Sequence, residues 1–187
     1  MPNYYLLGCF GPEEEDRAGI GNILNTNVNW QTGSRFQDPP PVPIRVELNP
    51  NFPGIMVPMF DSGILLLEDR MVSALSTAGV DNLDLYDAVI RDPMTGRSFD
   101  NYKAVNIVGA VACVDLAKST YAAPSGTPII DADFDEVEID ETKTNGLLMF
   151  RLAEAVNGIV VHKKVRFELE RSGIQYLDFT DPKDWMG

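Results

Sequence analysis

The stretch YKAVNIVGAVACVDL, residues 102–116, is the longest largely apolar run of the chain and decides its fold class. Its β-branched residues favour strand over helix. These are Val105, Ile107, Val108, Val111 and Val114. Gly109 interrupts the run, and a glycine inside a strand pattern indicates a bend. We therefore predict two strand segments that meet at Gly109.

Helices are predicted on both sides of this run. Asp61 and Ser62 can cap a first helix, which ends at Gly79. Its apolar positions recur at helical spacing, at Ile64, Leu67, Met71, Ala74, Leu75 and Ala78. A second helix is predicted over residues 163–172, where Gly173 ends it.

Short apolar segments predict the remaining strands. They cover residues 4–10, 44–48, 81–90, 137–140, 147–153, 159–162 and 174–179. Strands and helices mix without a regular βαβ repeat, which indicates an α+β fold with a mixed, mainly antiparallel sheet and two or three helices. We expect one domain over residues 1–187, with a core at residues 61–180. Residues 1–60 are predicted to form an irregular lobe rich in proline and asparagine.

The charge of the chain limits its partners. There are 28 Asp and Glu against 15 Lys and Arg, and the net charge is −13. Such a charge repels nucleic acid and anionic membranes and attracts basic partners. The sequence has no run of about 18 apolar residues, the length expected of a membrane span, and its two cysteines fit a reducing compartment. We expect a cytoplasmic protein, and the oligomeric state stays open.

Part of the negative charge is concentrated in residues 131–141, the acidic segment. Its seven acids are Asp131, Asp133, Asp135, Glu136, Glu138, Asp140 and Glu141. A calcium loop of the EF-hand type needs glycine and glutamate where this segment has Glu136 and Thr142. Two interpretations remain: a solvated strand edge, in which Val137 and Ile139 alternate with acids, or a docking face for a basic partner. Residues 13–16 are a second candidate face.

Residues suited to catalysis are few. His162 is the one histidine, and it ends an apolar run before two lysines that disfavour its protonated form. Cys113 lies in an apolar run, and no motif marks a nucleophile, so we expect a structural histidine, no catalytic residue and no cofactor. A carboxylate-only metal site at Asp61, Asp115 or Asp140 stays open as the alternative.

From about residue 55 to 180 the order of features is similar to that of a known family. A helix, a glycine that ends it and a strand come first, at residues 71–83. The most specific blocks follow: Asn106, Gly109 and Asp115 in the long strand pair, and the run FRLAE at residues 150–154. This succession resembles family eleven of the bacterial immunity proteins of polymorphic toxin systems, named for a Myxococcus immunity domain.

The resemblance implies that the protein binds and silences a cognate toxin delivered between competing bacteria. It implies no catalysis, and the family has no active-site motif to carry over. The negative charge favours a basic toxin, with the acidic segment as its contact face and without contact to nucleic acid or membrane. Two alternatives stay open: a small metal-dependent hydrolase that uses carboxylates, and a general protein-interaction module. An arginine at position 151, within an apolar strand, is expected to pair with Glu154 or another acid.

Overall fold

A computed structural model describes residues 2–12 and 16–187, and these residues form thirteen strands and two α-helices. The first seven strands are β1 (Tyr4–Cys9), β2 (Ile20–Ile23), β3 (Ile44–Leu48), β4 (Met59–Asp61), β5 (Leu65–Glu68), β6 (Leu83–Arg91) and β7 (Ser98–Ile107). The others are β8 (Ala110–Val111), β9 (Thr120–Ala122), β10 (Asp133–Glu136), β11 (Met149–Leu152), β12 (Ile159–His162) and β13 (Leu177–Thr180). The helices are α1 (Asp69–Ala78) and α2 (Lys163–Arg171). The predicted α+β class is confirmed.

Two larger sheets and one hairpin make up the strand pairing. The six-stranded sheet has the order β2-β3-β6-β7-β5-β4, in which only β3 and β6 run parallel. The five-stranded sheet has the order β13-β1-β12-β11-β8, in which only β11 and β8 run parallel. Strands β9 and β10 form a separate antiparallel pair. The sheets are therefore mixed and mainly antiparallel, as the sequence predicts.

The bend at Gly109 separates the two larger sheets. Strand β7 ends just before this glycine and belongs to the six-stranded sheet, whereas β8 follows it and belongs to the five-stranded sheet. Gly109 has φ +147°, a backbone conformation that side chains with a Cβ rarely adopt. The prediction of two strands that meet at this residue is confirmed.

The predicted start of the first helix is wrong. Residues 65–68 form β5 instead, because they pair with β4 on one side and with β7 on the other. Leu65, Leu66 and Leu67 are fully buried, which suits a central strand and not the one-sided burial of a surface helix. Helix α1 begins at Asp69 and ends at Gly79, whose φ is +95°. The predicted end of the helix is therefore confirmed.

The second helix and the strand before it match the sequence prediction closely. Strand β12 has the predicted bounds, and α2 begins at the predicted residue. Gly173 follows the helix with φ +66° and donates its N–H to the carbonyl of Glu170. This is the left-handed glycine that commonly ends a helix.

Residues 1–60 contribute strands to both larger sheets. Strand β1 lies between β13 and β12, and β2, β3 and β4 belong to the six-stranded sheet. Between β2 and β3 the chain is irregular and is held by Trp30, which is buried against Phe36 and Tyr86. The proline- and asparagine-rich region is thus built into the fold through its short strands.

The five-stranded sheet is covered on both faces. Successive residues of β1 point to opposite sides, as the pleat of a strand requires. Tyr5 and Leu7 join the larger core, which also contains residues of α1, α2 and the six-stranded sheet. Tyr4 and Leu6 join a second core, which also contains Phe134 from β10. The acidic segment therefore covers one face of this sheet.

Candidate functional site

The acidic segment is amphipathic, with one side in the core and the other in solvent. Ala132, Phe134 and Val137 are each at most 2% exposed and pack in the second core. Asp133, Asp135 and the acids that follow alternate with them on the outside. Burial of the apolar side chains holds the acids on the surface of the protein.

The predicted strand at residues 137–140 is wrong in position. The strand is β10, at Asp133–Glu136, and it pairs with β9. Ile139 makes only an isolated bridge with Val114. On the other side of β10, Phe134 exchanges two backbone hydrogen bonds with Gly187, at 2.6 and 3.0 Å. These pairings on both sides of Phe134 set the position of the acids beside it.

Three of the seven acids have a structural contact of their own. The carboxylate of Asp131 accepts a hydrogen bond from Ser125 Oγ at 2.7 Å. Asp140 accepts hydrogen bonds from the hydroxyl of Thr142 at 2.6 Å and from the N–H of the same residue, and it pairs with Lys143 Nζ at 3.2 Å. The Thr142 hydroxyl first, and then Lys143, lower the pKa of the Asp140 carboxyl group below the usual value. The carboxylate of Glu141 accepts two bonds from the side-chain amide of one residue, Asn3.

The other four acids are exposed and lack any such contact within residues 2–12 and 16–187. They are Asp133, Asp135, Glu136 and Glu138, and their carboxylates form no ion pair or side-chain hydrogen bond with the described part of the chain. The segment therefore presents four unneutralised carboxylates to solvent, three of them on β10. The other predicted acidic face, residues 13–16, lies outside the described residues except for Asp16.

A groove of about 300 Å³ borders the segment where Glu138 and Glu141 lie. Ile139 and Pro182 form apolar parts of its wall, and Asp181 adds a third carboxylate, which pairs at 3.7 Å with Lys183 in the same wall. A long basic side chain has the matching chemistry, since its aliphatic stem can lie on apolar surface while its charge meets carboxylates.

Exposed apolar side chains flank the acids as well. Ile129 and Ile130 precede the segment and are 50% and 63% exposed. Met186 is 77% exposed and lies next to Gly187, the residue that pairs with Phe134. Protein interfaces commonly combine apolar contacts of this kind with a charged rim.

His162 has a structural role at the start of α2. Its Nδ1 accepts a hydrogen bond from the N–H of Lys164 at 3.2 Å, so the imidazole caps the helix. Burial lowers the pKa of His162, and Lys164 and Lys163 lower it further. The neutral imidazole, which can accept this bond, is therefore favoured. The sequence predicts the same preference from the two lysines that follow His162.

Both cysteines are buried, and neither forms a disulfide. Burial raises the pKa of the Cys113 thiol to about 12 and also raises that of Cys9. A thiol with a raised pKa is a poor nucleophile at neutral pH.

The three carboxylates of the alternative metal site are engaged separately. Asp61 binds Arg151, Asp115 pairs with Lys118 at 2.8 Å, and Asp140 pairs with Lys143. Within the ranges 2–12 and 16–187, no three His, Cys, Asp or Glu side chains are grouped so that they could hold a metal ion.

Sequence reasoning names Asp61 and Glu154 but misses the roles of both acids in the core. Asp61 is the acid that binds Arg151, whereas the sequence singles out Glu154 by name. Glu154 is itself buried, and its carboxylate accepts a hydrogen bond from the N–H of Val114. An acid next to an apolar strand is the only signal in the sequence for such a role.

No protein-family model matches the chain, and no curated protein is significantly similar to it. In the described part of the chain, neither helix has the length and apolar character that crossing a membrane requires.

Proposed function

We propose that this protein is a cytoplasmic immunity protein that binds and neutralises a cognate antibacterial toxin without catalysis. The observation that carries the proposal is the amphipathic acidic segment. Its apolar side chains are buried, and Asp133, Asp135, Glu136 and Glu138 face solvent without a partner in the described structure. A fixed row of unneutralised carboxylates is suited to a basic protein surface.

The net charge of −13 also favours a basic partner, and it acts at longer range than the acidic segment. Opposite charge on two proteins accelerates their encounter, and the effect decreases as salt screens it. A protein that must reach a toxin before the toxin acts benefits from a fast encounter. The acidic segment then provides the local contact, and the groove beside Glu138 and Glu141 fits an arginine or lysine of the toxin.

Apolar contacts are needed beside the charges, because charge contributes more to the rate and specificity of association than to affinity. Ile129, Ile130 and Met186 supply exposed apolar surface next to the acidic segment. A buried apolar anchor in an interface commonly provides much of the binding free energy. The proposed face thus contains both components of a tight complex.

The resemblance to the immunity family supports the same function. The blocks that carry the resemblance contribute Cys113, Val114, Phe150 and Leu152 to the core beneath the acidic segment, whereas Asn106 lies in β7 of the six-stranded sheet. The alternative of a metal-dependent hydrolase has less support, since Asp61, Asp115 and Asp140 each bind a basic side chain within the fold.

Coexpression with the product of the adjacent toxin gene tests the proposal. We expect the two proteins to copurify and the cells that express both to survive. The proposal is wrong if no complex forms and toxin-expressing cells are not protected. A stable complex with a protein that is not a toxin would instead support a general interaction module.

A further inference from the structure

Glu154 lies in the turn between β11 and β12, beneath the acidic segment. It is 4% exposed and packs beside the second core, close to Cys113. A glutamate is seldom buried to this extent without a basic partner. In the described residues its Oε2 atom has no hydrogen-bond partner.

Two contacts of Glu154 reach different ends of the acidic segment. Its main-chain carbonyl accepts a hydrogen bond from the N–H of Ala132 at 2.9 Å, near the start of the segment. Its carboxylate Oε1 accepts from the N–H of Val114 at 3.2 Å. Val114 in turn bridges Ile139, near the end of the segment.

The neighbouring backbone strengthens both connections. At the start, the N–H of Ile130 binds the carbonyl of Ala153 at 2.7 Å. At the end, the N–H of Asp115 binds the carbonyl of Glu138, and the N–H of Asp140 binds the carbonyl of Cys113, each at 2.7 Å. Residues 113–115 are therefore fixed to the end of the segment. The N–H of Ala153 binds the carbonyl of Val111 at 3.0 Å, and the Glu154 carboxylate adds a second link, directly at Val114, to the turn that holds the start of the segment.

Burial of this carboxylate has an energetic cost, because a charged group loses hydration that its one side-chain hydrogen bond only partly replaces. The pKa of Glu154 is accordingly raised by burial. Lys143 is the charged side chain that acts on this carboxylate, and the uncharged Cys113 thiol lies close to both Glu154 and Asp140. A leucine or methionine would fill the space without this cost, so the hydrogen bond to Val114 is the feature that distinguishes glutamate here.

We infer that Glu154 is a positioning residue for the docking face: it fixes the distance between the two ends of the acidic segment so that the exposed carboxylates form one surface. This inference rests on the proposed function for its biological meaning. The connection itself is a property of the fold and can be tested without the toxin.

Amide hydrogen exchange of the full-length protein tests the connection. Glu154→Met removes the acceptor, and Glu154→Gln retains it as a matched control. In the methionine variant we expect exchange at the amides of Val114, Asp115 and Asp140 to rise at least about tenfold, in line with a lost buried hydrogen bond. Exchange in the β6–β7 pair should stay unchanged, and the glutamine variant should resemble the wild type.

Two results would overturn the inference: equal exchange at Val114 in all three proteins, or a uniform rise that includes β6 and β7. The uniform rise would mean that Glu154 contributes only to global stability. If the methionine variant does not fold, Glu154→Asp replaces it, because the shorter side chain withdraws the acceptor from Val114.

Protection of cells that express the adjacent toxin provides the functional readout. We expect the glutamine variant to protect like the wild type and the folded methionine variant to protect less. Full protection by a methionine variant with a loosened segment contradicts the positioning role. If the wild type itself does not protect, the proposed function fails, and the exchange data still decide what Glu154 does.

Discussion

Arg151 in the five-stranded sheet binds Asp61 in the six-stranded sheet through both carboxylate oxygens, at 3.2 and 3.3 Å. The arginine side chain is fully buried, and its third hydrogen bond goes to the carbonyl of Val156 at 2.7 Å. The two sheets are thereby joined by a charged pair whose members are 90 positions apart in the sequence. The acidic segment lies on the far side of the sheet that contains Arg151.

Removal of one member of this pair should be costly. Asp61→Ala leaves a buried guanidinium without its counter-charge, and we expect a loss of about 3–5 kcal/mol in the free energy of unfolding. The double variant Asp61→Leu with Arg151→Met should recover most of that loss, because it removes both charges. Urea unfolding of the wild type and the two variants measures the effect. A loss below about 1 kcal/mol for Asp61→Ala contradicts a tightly coupled pair.

Glu154 should make stability depend on pH in a defined direction. Its pKa is raised in the folded protein from a normal value of 4.5, so the folded state binds a proton more tightly than the unfolded state. Wild-type stability should therefore decrease as pH rises from 4.5 through the raised pKa. Glu154→Gln removes this decrease, so its stability relative to the wild type should increase with pH and then level off. A constant difference across pH contradicts a raised pKa.

His162 should make stability depend on pH in the opposite direction. Its pKa is lowered from 6.5, so stability should be fully present above pH 6.5 and be lost as pH falls toward the lowered value. His162→Asn keeps a side chain that can cap α2 and does not titrate, so the loss should disappear. His162→Ala removes the cap and should cost about 1 kcal/mol at neutral pH. Thermal unfolding at pH 5 and pH 8 separates the effect of His162 titration from the effect of helix capping. Equal stability of the wild type and both variants at each pH would contradict a capping role of His162.

Ile130 has φ +83°, which is unfavourable for a β-branched residue. Ile130→Gly should stabilise the protein by about 0.5–1 kcal/mol. The free energy gained by removing the strained left-handed conformation exceeds the entropic cost of the more flexible glycine in the unfolded chain. Ile129 is similarly exposed and has no positive φ, so Ile129→Gly is a matched control that should not stabilise. Chemical unfolding measures both. A lower stability for Ile130→Gly would show that this conformation is not strained.

The local features of this fold could be predicted from sequence, whereas the pairings between distant residues could not. Strand β12, helix α2 and the bend at Gly109 follow from apolar periodicity and from one glycine with a special conformation. The predicted start of α1 is wrong because the apolar residues at helical spacing also fit a strand, and only the pairing of β5 with strands on both sides decides between the two.

In the candidate site, too, local features could be predicted from sequence and contacts between distant residues could not. The amphipathic alternation of the acidic segment is visible in its sequence, and its buried and exposed sides follow from that pattern. Three of the acids are engaged by Ser125, Lys143 and Asn3. Asn3 is 138 positions away from Glu141, the acid that it binds. The role of Glu154 depends on Val114, 40 positions away, for which no local signal exists.

The most direct test of the proposed function is the association rate with the product of the adjacent toxin gene, measured at several salt concentrations. The test variant reverses three exposed acids of β10, Asp133→Lys, Asp135→Lys and Glu136→Lys. A control reverses three exposed acids elsewhere, Asp38, Asp81 and Asp100, and changes the net charge equally. We expect the test variant to associate at least about tenfold more slowly, with a flatter dependence on salt, and the control to stay close to the wild type. Equal rates for the two variants would contradict a docking role of the acidic segment.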